Sequence, residues 1–363
     1  MSANIGNDYH LLDTPALWVD LDILESNIRN MASFFRSVGV GWRPHTKGIK
    51  IPAIAHKLLN AGALGITCAK LSEAEVMAAS GIRDILIANQ VVDAPKIVRL
   101  VNLQKHANVM VAVDNLENAA DISRAAETYH TKVRVLIEVN TGMNRCGLQP
   151  GEEAVEFARE LAAMPGLIFS GVMGWEGHVT KIADQQQKYD EVKRSVGSLT
   201  ATADLIRQAG FAVEIVSCGG TGDFRMAALQ PGVTEIQAGG GVFGDLTYTS
   251  WGAEQAHSLF VLTTVISRPA PTRAVINAGH KTMDGEHVIP VVRGRKDIVL
   301  TKLNAEHGIL QLEDATTPLK IKEKLDLIVG YGDFTVFRHD RLYGVRDGKV
   351  EVVWDIQGRG KLG

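Results

Sequence analysis

The chain predicts an α/β fold: a (β/α)8 TIM-type barrel followed by a C-terminal antiparallel β domain. Three observations carry this. Short β-branched runs alternate with helix-period segments through the first two-thirds of the chain, eight such units are present, and after about residue 256 strands follow one another without long helices. The barrel strands are expected at Gly41–Arg43, Leu64–Cys68, Ile85–Ala88, Val109–Val113, Val133–Val139, Ile168–Met173, Val213–Ser217 and Glu235–Ala238. Between them, Leu24, Ile28, Met31 and Phe35 mark a helix that Asp22 and Glu25 would open as a capping box. Ser72 and Glu75 repeat that signature, and Val192, Val196, Leu199, Ala203 and Ile206 form one apolar face.

In the C-terminal part, strands are expected at Leu259–Ser267, Arg273–Asn277, Ile298–Lys302, Leu325–Val329 and Leu342–Val345. Asp347-Gly348 then signals a tight hairpin into Val350–Trp354. An early strand, Ala16–Asp20, is left over from the barrel count and is expected to complete the β domain. The division is therefore a barrel over residues 21–255 and a β domain from residues 1–20 and 256–363.

Composition narrows the function. The 363 residues are 45% hydrophobic and 22% charged with a formal charge of −3, which offers no basic stripe for nucleic acid. No apolar run approaches the ~18–20 residues of a membrane span. No charged and apolar secretion signal opens the chain. Cys68, Cys146 and Cys218 are odd in number and widely spaced, so a reducing, cytoplasmic setting is expected rather than a disulfide framework.

In such a barrel the loops after the strands build the active site, and the unusual residues fall there. The first strand runs into Arg43-Pro44-His45-Thr46-Lys47, the fifth into Asn140 to Gly147, the sixth into Trp175-Glu176-Gly177-His178. Gly219-Gly220-Thr221-Gly222 and Gly239-Gly240-Gly241 follow the last two. Lys47 stands where a partly desolvated amine becomes the nucleophile for imine formation with an aldehyde. Lys50 and Lys70 compete, but both read as surface positions at helix starts. The glycine turn before a helix lets backbone N–H groups approach a phosphate, a recurrent site after strands seven and eight; plain turn glycines are the alternative. Arg145 suits the phenolate oxygen of a pyridoxal ring or a substrate carboxylate, or else loop carbonyls. Trp175 and His178 either line the pocket or serve packing and a loop hydrogen bond.

These segments, in this order, resemble the D-threonine aldolase and D-serine dehydratase family, relatives of alanine racemase among fold type III pyridoxal-phosphate enzymes. The likeness rests on Thr14 to Leu21 with Asn27-Ile28, on Arg43 to Lys47, Ser72 to Glu75, Thr141 to Gly147, Gly219 to Gly222, Val345 to Val350 and Arg359 to Lys361. It implies pyridoxal 5'-phosphate bound to Lys47 as a Schiff base, with Arg145 on the ring oxygen. Gly219, Gly220, Thr221, Gly222, Gly239 and Gly240 would hold the phosphate. A homodimer whose partner completes the pocket, and a D-3-hydroxy amino acid as substrate, are also implied. Many members bind a divalent metal through a histidine and, two residues on, an acid or cysteine. This chain has Tyr331-Gly332-Asp333, so only Asp333 matches, and tyrosine is a poorer ligand than imidazole. Ile49 also replaces a frequent histidine, and Gly241 a frequent aromatic.

The resemblance implies retro-aldol cleavage to glycine and an aldehyde, with Asp333 and a metal, His178, or the phenol of Tyr331 taking the 3-hydroxyl proton. Dehydration with deamination is the runner-up, and racemisation needs no metal. A non-catalytic pyridoxal-phosphate carrier is the remaining alternative, against which the long segment after Glu254 argues.

Overall fold

The computed structural model describes residues 4–363 and divides into two compact units. One holds Met31–Lys47, Ile54–Gly239 and Lys361–Gly363; the other holds residues up to Asn30, Gly48–Ala53 and Gly240–Gly360. The division runs through the helix Leu21–Val38 (α1) and through the Gly239-Gly240 pair, where the expected boundaries stood at residues 20 and 255.

The first unit is the barrel. Its strands are β2 (Gly41–Trp42), β3 (Ile66–Cys68), β4 (Asp84–Ile87), β5 (Asn108–Val113), β6 (Val133–Glu138), β7 (Leu167–Met173), β8 (Ile215–Cys218) and β9 (Glu235–Ile236). They pair in parallel in the order β2-β9-β8-β7-β6-β5-β4-β3. All eight expected strands are present, shifted by a residue or two at their ends. Pro44 lacks an N–H and cuts β2 short. The ring therefore closes by a single parallel bridge, His45 to Thr67, with the Thr67 N–H on Pro44 O at 2.9 Å and the Thr46 N–H on Thr67 O at 2.7 Å. Both faces of the sheet are buried, which is why its strands read as near-continuous apolar runs.

The intervening helices are α2 (Pro52–Asn60), α3 (Leu71–Ala79), α4 (Ala94–Leu103), α5 (Leu116–Thr128), α6 (Glu152–Ala162), α7 (Gln185–Gln208) and α8 (Phe224–Ala227). Val192, Val196, Leu199, Ala203 and Ile206 of α7 are fully buried, as their spacing predicts. The helix expected after the glycine turn is a single turn, α8. Neither capping box forms. Asp20 caps α1 by accepting the Asp22 and Ile23 N–H groups at 3.1 Å, and Asp22 and Glu25 turn to Arg346 instead. Lys70 opens α3 without a side-chain cap, while Glu75 pairs with Arg99 at 2.6 Å. The reason is shared: each helix begins one or two residues before the box requires.

In the second unit β1 (Ala16–Asp20) lies between β10 (Leu259–Ala270) and β16 (Arg341–Arg346). It is antiparallel to β10 but parallel to β16, with Trp18 opposite Tyr343, so the sheet is mixed rather than purely antiparallel. β11 (Arg273–Ile276), β12 (Val291–Val292), β13 (Ile298–Leu303), β14 (Gly308–Leu312), β15 (Lys324–Ile328) and β17 (Lys349–Asp355) complete it. Leu12, Ala16, Trp18, Phe260, Leu262, Val345 and Val350 form its core cluster. Asp347 (φ 50°) and Gly348 (φ 75°) make the expected β16–β17 turn. Two short helices, α9 (Leu246–Ser250) and α10 (Gly332–Val336), escaped the sequence reading.

Candidate active site

In the barrel unit, residues from three strand ends meet at one indole. The Lys47 amine lies 5.4 Å from the Trp175 ring centroid, and the Arg145 guanidinium lies 5.1 Å from it. A Cβ built on Gly220 would stand 3.0 Å from Trp175 Nε1. The loop after β2, the loop after β6, the loop after β7 and the turn after β8 thus converge, as the positions of their unusual residues predicted. Arg145 also reaches Glu138 at 3.8 Å and is half exposed. Lys47 N–H donates to His45 Nδ1 at 3.3 Å.

Gly219 holds φ +74°, a conformation that favours glycine, and a Cβ there would press on Ile236. Gly220 accepts the Phe224 N–H at 2.9 Å and gives its own N–H to Asp223 Oδ1 at 2.7 Å. A tight glycine turn beside an indole N–H is the kind of cradle a phosphate needs, with Asp223 holding the Gly220 N–H and so fixing the turn, and these residues fit a phosphorylated aldehyde in that way. Gly239 and Gly240 have packing reasons of their own. A Cβ at Gly239 would strike the His45 backbone, and one at Gly240 the Tyr248 phenol.

His178 is engaged by α7. Its Nε2 meets Glu191 at 2.9 Å and Ser195 Oγ at 3.3 Å, while its buried Nδ1 has no hydrogen-bond partner among the described residues. Arg194 and His178 hold the Glu191 carboxyl at about 2. The ring stands under Gly142, where a Cβ would come within 2.9 Å of it. His178 therefore supports the loop that carries Arg145. It lines a cavity of about 560 Å³ with Ile182, Gln187, Asp190, Glu191 and Arg194.

In the β unit, Asp333 is buried and both its oxygens take phenols. Tyr248 donates to Oδ1 at 3.0 Å and Tyr331 to Oδ2 at 3.2 Å. Gly48, the residue after Lys47 in the chain, leaves room for this carboxylate. Burial and the Asp333 charge push the Tyr331 phenol far up, so it remains an O–H donor. Asp245 accepts the Tyr248 and Gly332 N–H groups at 2.7 and 2.6 Å, and burial raises it to about 8. Lys50, expected at the surface, is buried with φ +57° and its carbonyl accepts the Gly358 N–H. Lys70 is exposed as expected.

This donor set does not fit a divalent metal at Asp333, because the residue two before it is a protonated phenol that donates to the carboxylate. Among the described residues one group of three metal-capable side chains occurs elsewhere, Asp114, Glu138 and Cys146. Gln90 Nε2 already donates to Glu138 and Asp114 at 2.5 and 3.1 Å, and the Gly147 N–H to Asp114 at 2.9 Å.

Sequence reasoning missed Glu176, Asp223, the Tyr248 phenol and the Arg43–Glu235 pair, whose buried guanidinium Nε meets Glu235 at 2.9 Å. Glu235, an acid inside an apolar strand, and Arg43 just beyond another were the available signals; Glu176, Asp223 and Tyr248 lie outside the strands and gave none.

Two family models match the chain: the alanine racemase N-terminal domain over residues 19–247 and the serine dehydratase domain over residues 258–345. A 3-hydroxy-D-aspartate aldolase of Paracoccus denitrificans (strain Pd 1222) is 36% identical, covering 98% of this chain and 94% of that protein. The D-threo-3-hydroxyaspartate dehydratase of Delftia sp. (strain HT23) is 30% identical over 87% of this chain and 88% of its own. The crystal structure of D-threonine aldolase from Filomicrobium marinum superimposes with a TM-score of 0.96 at 34% identity, covering 99% of both chains.

Proposed function

The chain belongs to the D-threonine aldolase and D-serine dehydratase family, whose barrel is of the alanine racemase type, and from this we propose that it is a pyridoxal-phosphate-dependent lyase splitting the Cα–Cβ bond of D-3-hydroxy amino acids into glycine and an aldehyde. The convergence of Lys47 and Arg145 on Trp175, beside the Gly220 turn, carries this reading.

Pyridoxal phosphate, when bound, supplies the electron sink for the bond at Cα that stands perpendicular to its ring. The Lys47 amine is the group that joins the aldehyde, the Gly219–Gly222 backbone the group that holds the phosphate, and Arg145 the cation for the ring oxygen. Trp175 keeps both cations against an apolar face. Cleavage also requires an acceptor for the 3-hydroxyl proton. Asp333 with a metal, His178 and the Tyr331 phenol were the candidates; we assign the role to the Asp333 carboxylate, whose two phenol donors support a hydrogen-bonded group rather than a metal ligand there. Tyr331 then acts as a donor that orients the carboxylate, and His178 orders the Arg145 loop. A homodimer and a reducing compartment are part of the proposal, the latter supported by three cysteines that form no disulfide among the described residues.

The test is product analysis on D-threonine, D-serine and D-3-hydroxyaspartate. Glycine with an aldehyde supports the aldolase. A 2-oxo acid with ammonia would establish the second reading, dehydration, which the match over residues 258–345 favours. The mirror-image amino acid alone would make it a racemase.

A further inference from the structure

The end of β7 and the turn after β8 enclose an acid pair that no role above uses. Glu176 has no exposed surface and Asp223 is 4% exposed. One oxygen of Asp223 accepts the Gly220 N–H at 2.7 Å. Its other oxygen, and both oxygens of Glu176, make no well-formed hydrogen bond among the described residues, and the Gly219 N–H is the one outside donor near Glu176. The two carboxyls lie within hydrogen-bonding reach of each other. Three acceptor atoms in a closed space with one backbone N–H beside them are still short of donors, and an acid proton of the pair itself fills that need.

We propose that Glu176 keeps its proton and donates it to Asp223, and that this shared proton fixes the Asp223 carboxylate against the Gly220 N–H, making Glu176 a positioning residue for the phosphate turn. The inference rests on the reading that Gly219–Gly222 hold the cofactor phosphate. Surrounding charges decide which acid is neutral. Lys188 of α7 is buried and acts on Asp223, favouring the carboxylate there. Cys218, at the end of β8, is a buried thiol raised by burial and by both acids, so it adds no charge. Glu235 of β9 also acts on Cys218, but Arg43, just after β2, neutralises it. Burial and the Asp223 charge both push Glu176 up, which agrees with a neutral acid at that position. One anion and one ammonium then balance beneath the turn. A second carboxylate would repel a phosphate and leave Asp223 without its donor.

Two measurements test this. In the protein without cofactor, infrared spectroscopy at neutral pH should show protonated-carboxyl C=O absorption from Glu176 and Asp245, of which Glu176→Gln removes one component and leaves the Asp245 component. Because this readout needs no cofactor, it separates the shared proton from the functional reading. Pyridoxal 5'-phosphate affinity of the wild type should fall by roughly tenfold as pH rises through the titration of the pair. Glu176→Gln, whose amide donates but cannot ionise, should keep wild-type affinity to within about threefold at neutral pH and show none of that alkaline loss. Pyridoxal without the phosphate should show no difference between the two proteins. Carboxyl absorption that Glu176→Gln leaves unchanged, or a Glu176→Gln protein that follows the wild-type alkaline loss, overturns the proposal. A wild type that binds no pyridoxal phosphate sinks the functional reading and with it the role of the pair in the turn.

Discussion

Lys47 and Arg145 both meet the Trp175 ring, but as an amine and a fixed cation their effects on the cofactor should differ in kind. Lys47→Ala should abolish the yellow absorbance of the bound cofactor and all turnover, and a borohydride-fixable chromophore surviving in that variant would point to another lysine. Trp175→Leu should keep the colour but weaken cofactor binding, since loss of a cation–π contact costs about 1 kcal/mol, roughly fivefold in affinity. Glu176 adds a pH signature to stability itself. Burial raises its folded value, so above the ordinary carboxyl range the unfolded chain has released a proton that the folded chain still holds. Stability should therefore decline with rising pH from that range until the folded group titrates, and be fully present below it. Urea unfolding of Glu176→Gln across pH should show a flatter curve; an unchanged slope would assign the effect to another group.

At the scale of elements, two positions fix the barrel. Gly171 in β7 has φ +148°, follows an irregularity in the β6–β7 register, and a Cβ there would strike the Ile215 backbone. Gly171→Ala should cost about 2–3 kcal/mol by chemical denaturation. Arg43 ties β2 to Glu235 of β9 and to Asp84 of β4 with only 5% of its side chain exposed. Arg43→Ala should cost about 3–5 kcal/mol, because it leaves the Glu235 charge buried without its partner. Strands and long helices were legible because β-branched runs and one-sided apolar spacing depend only on local pattern. Helix starts were not. Asp20 sits at a strand end and doubles as the α1 cap, a role that appears only when strand and helix are seen to join without a loop. The β1–β16 pairing was likewise hidden, since nothing in Ala16–Asp20 states the direction of its neighbour.

For the whole molecule, the misfit of Asp333 to a metal predicts that a chelator leaves turnover unchanged. Turnover lost with chelator and restored by a divalent cation would reverse that conclusion. The candidate site was legible where a motif names its own chemistry, as with Lys47, Arg145 and Gly219 to Gly222. It was illegible where chemistry arises from distant segments meeting, as when Tyr248 and Tyr331 close on Asp333, or Glu176 on Asp223.

Pro44 has one more consequence. The first and second staves share one ladder bridge, His45 to Thr67, with the Leu64 N–H on the Trp42 carbonyl beside it, and this seam ends two residues before Lys47. When such a cask springs, it springs at that seam. Deuterium uptake at the Thr46 and Thr67 amides should be quick in the empty protein and slow sharply once the cofactor is loaded, while amides of β5 stay protected in both.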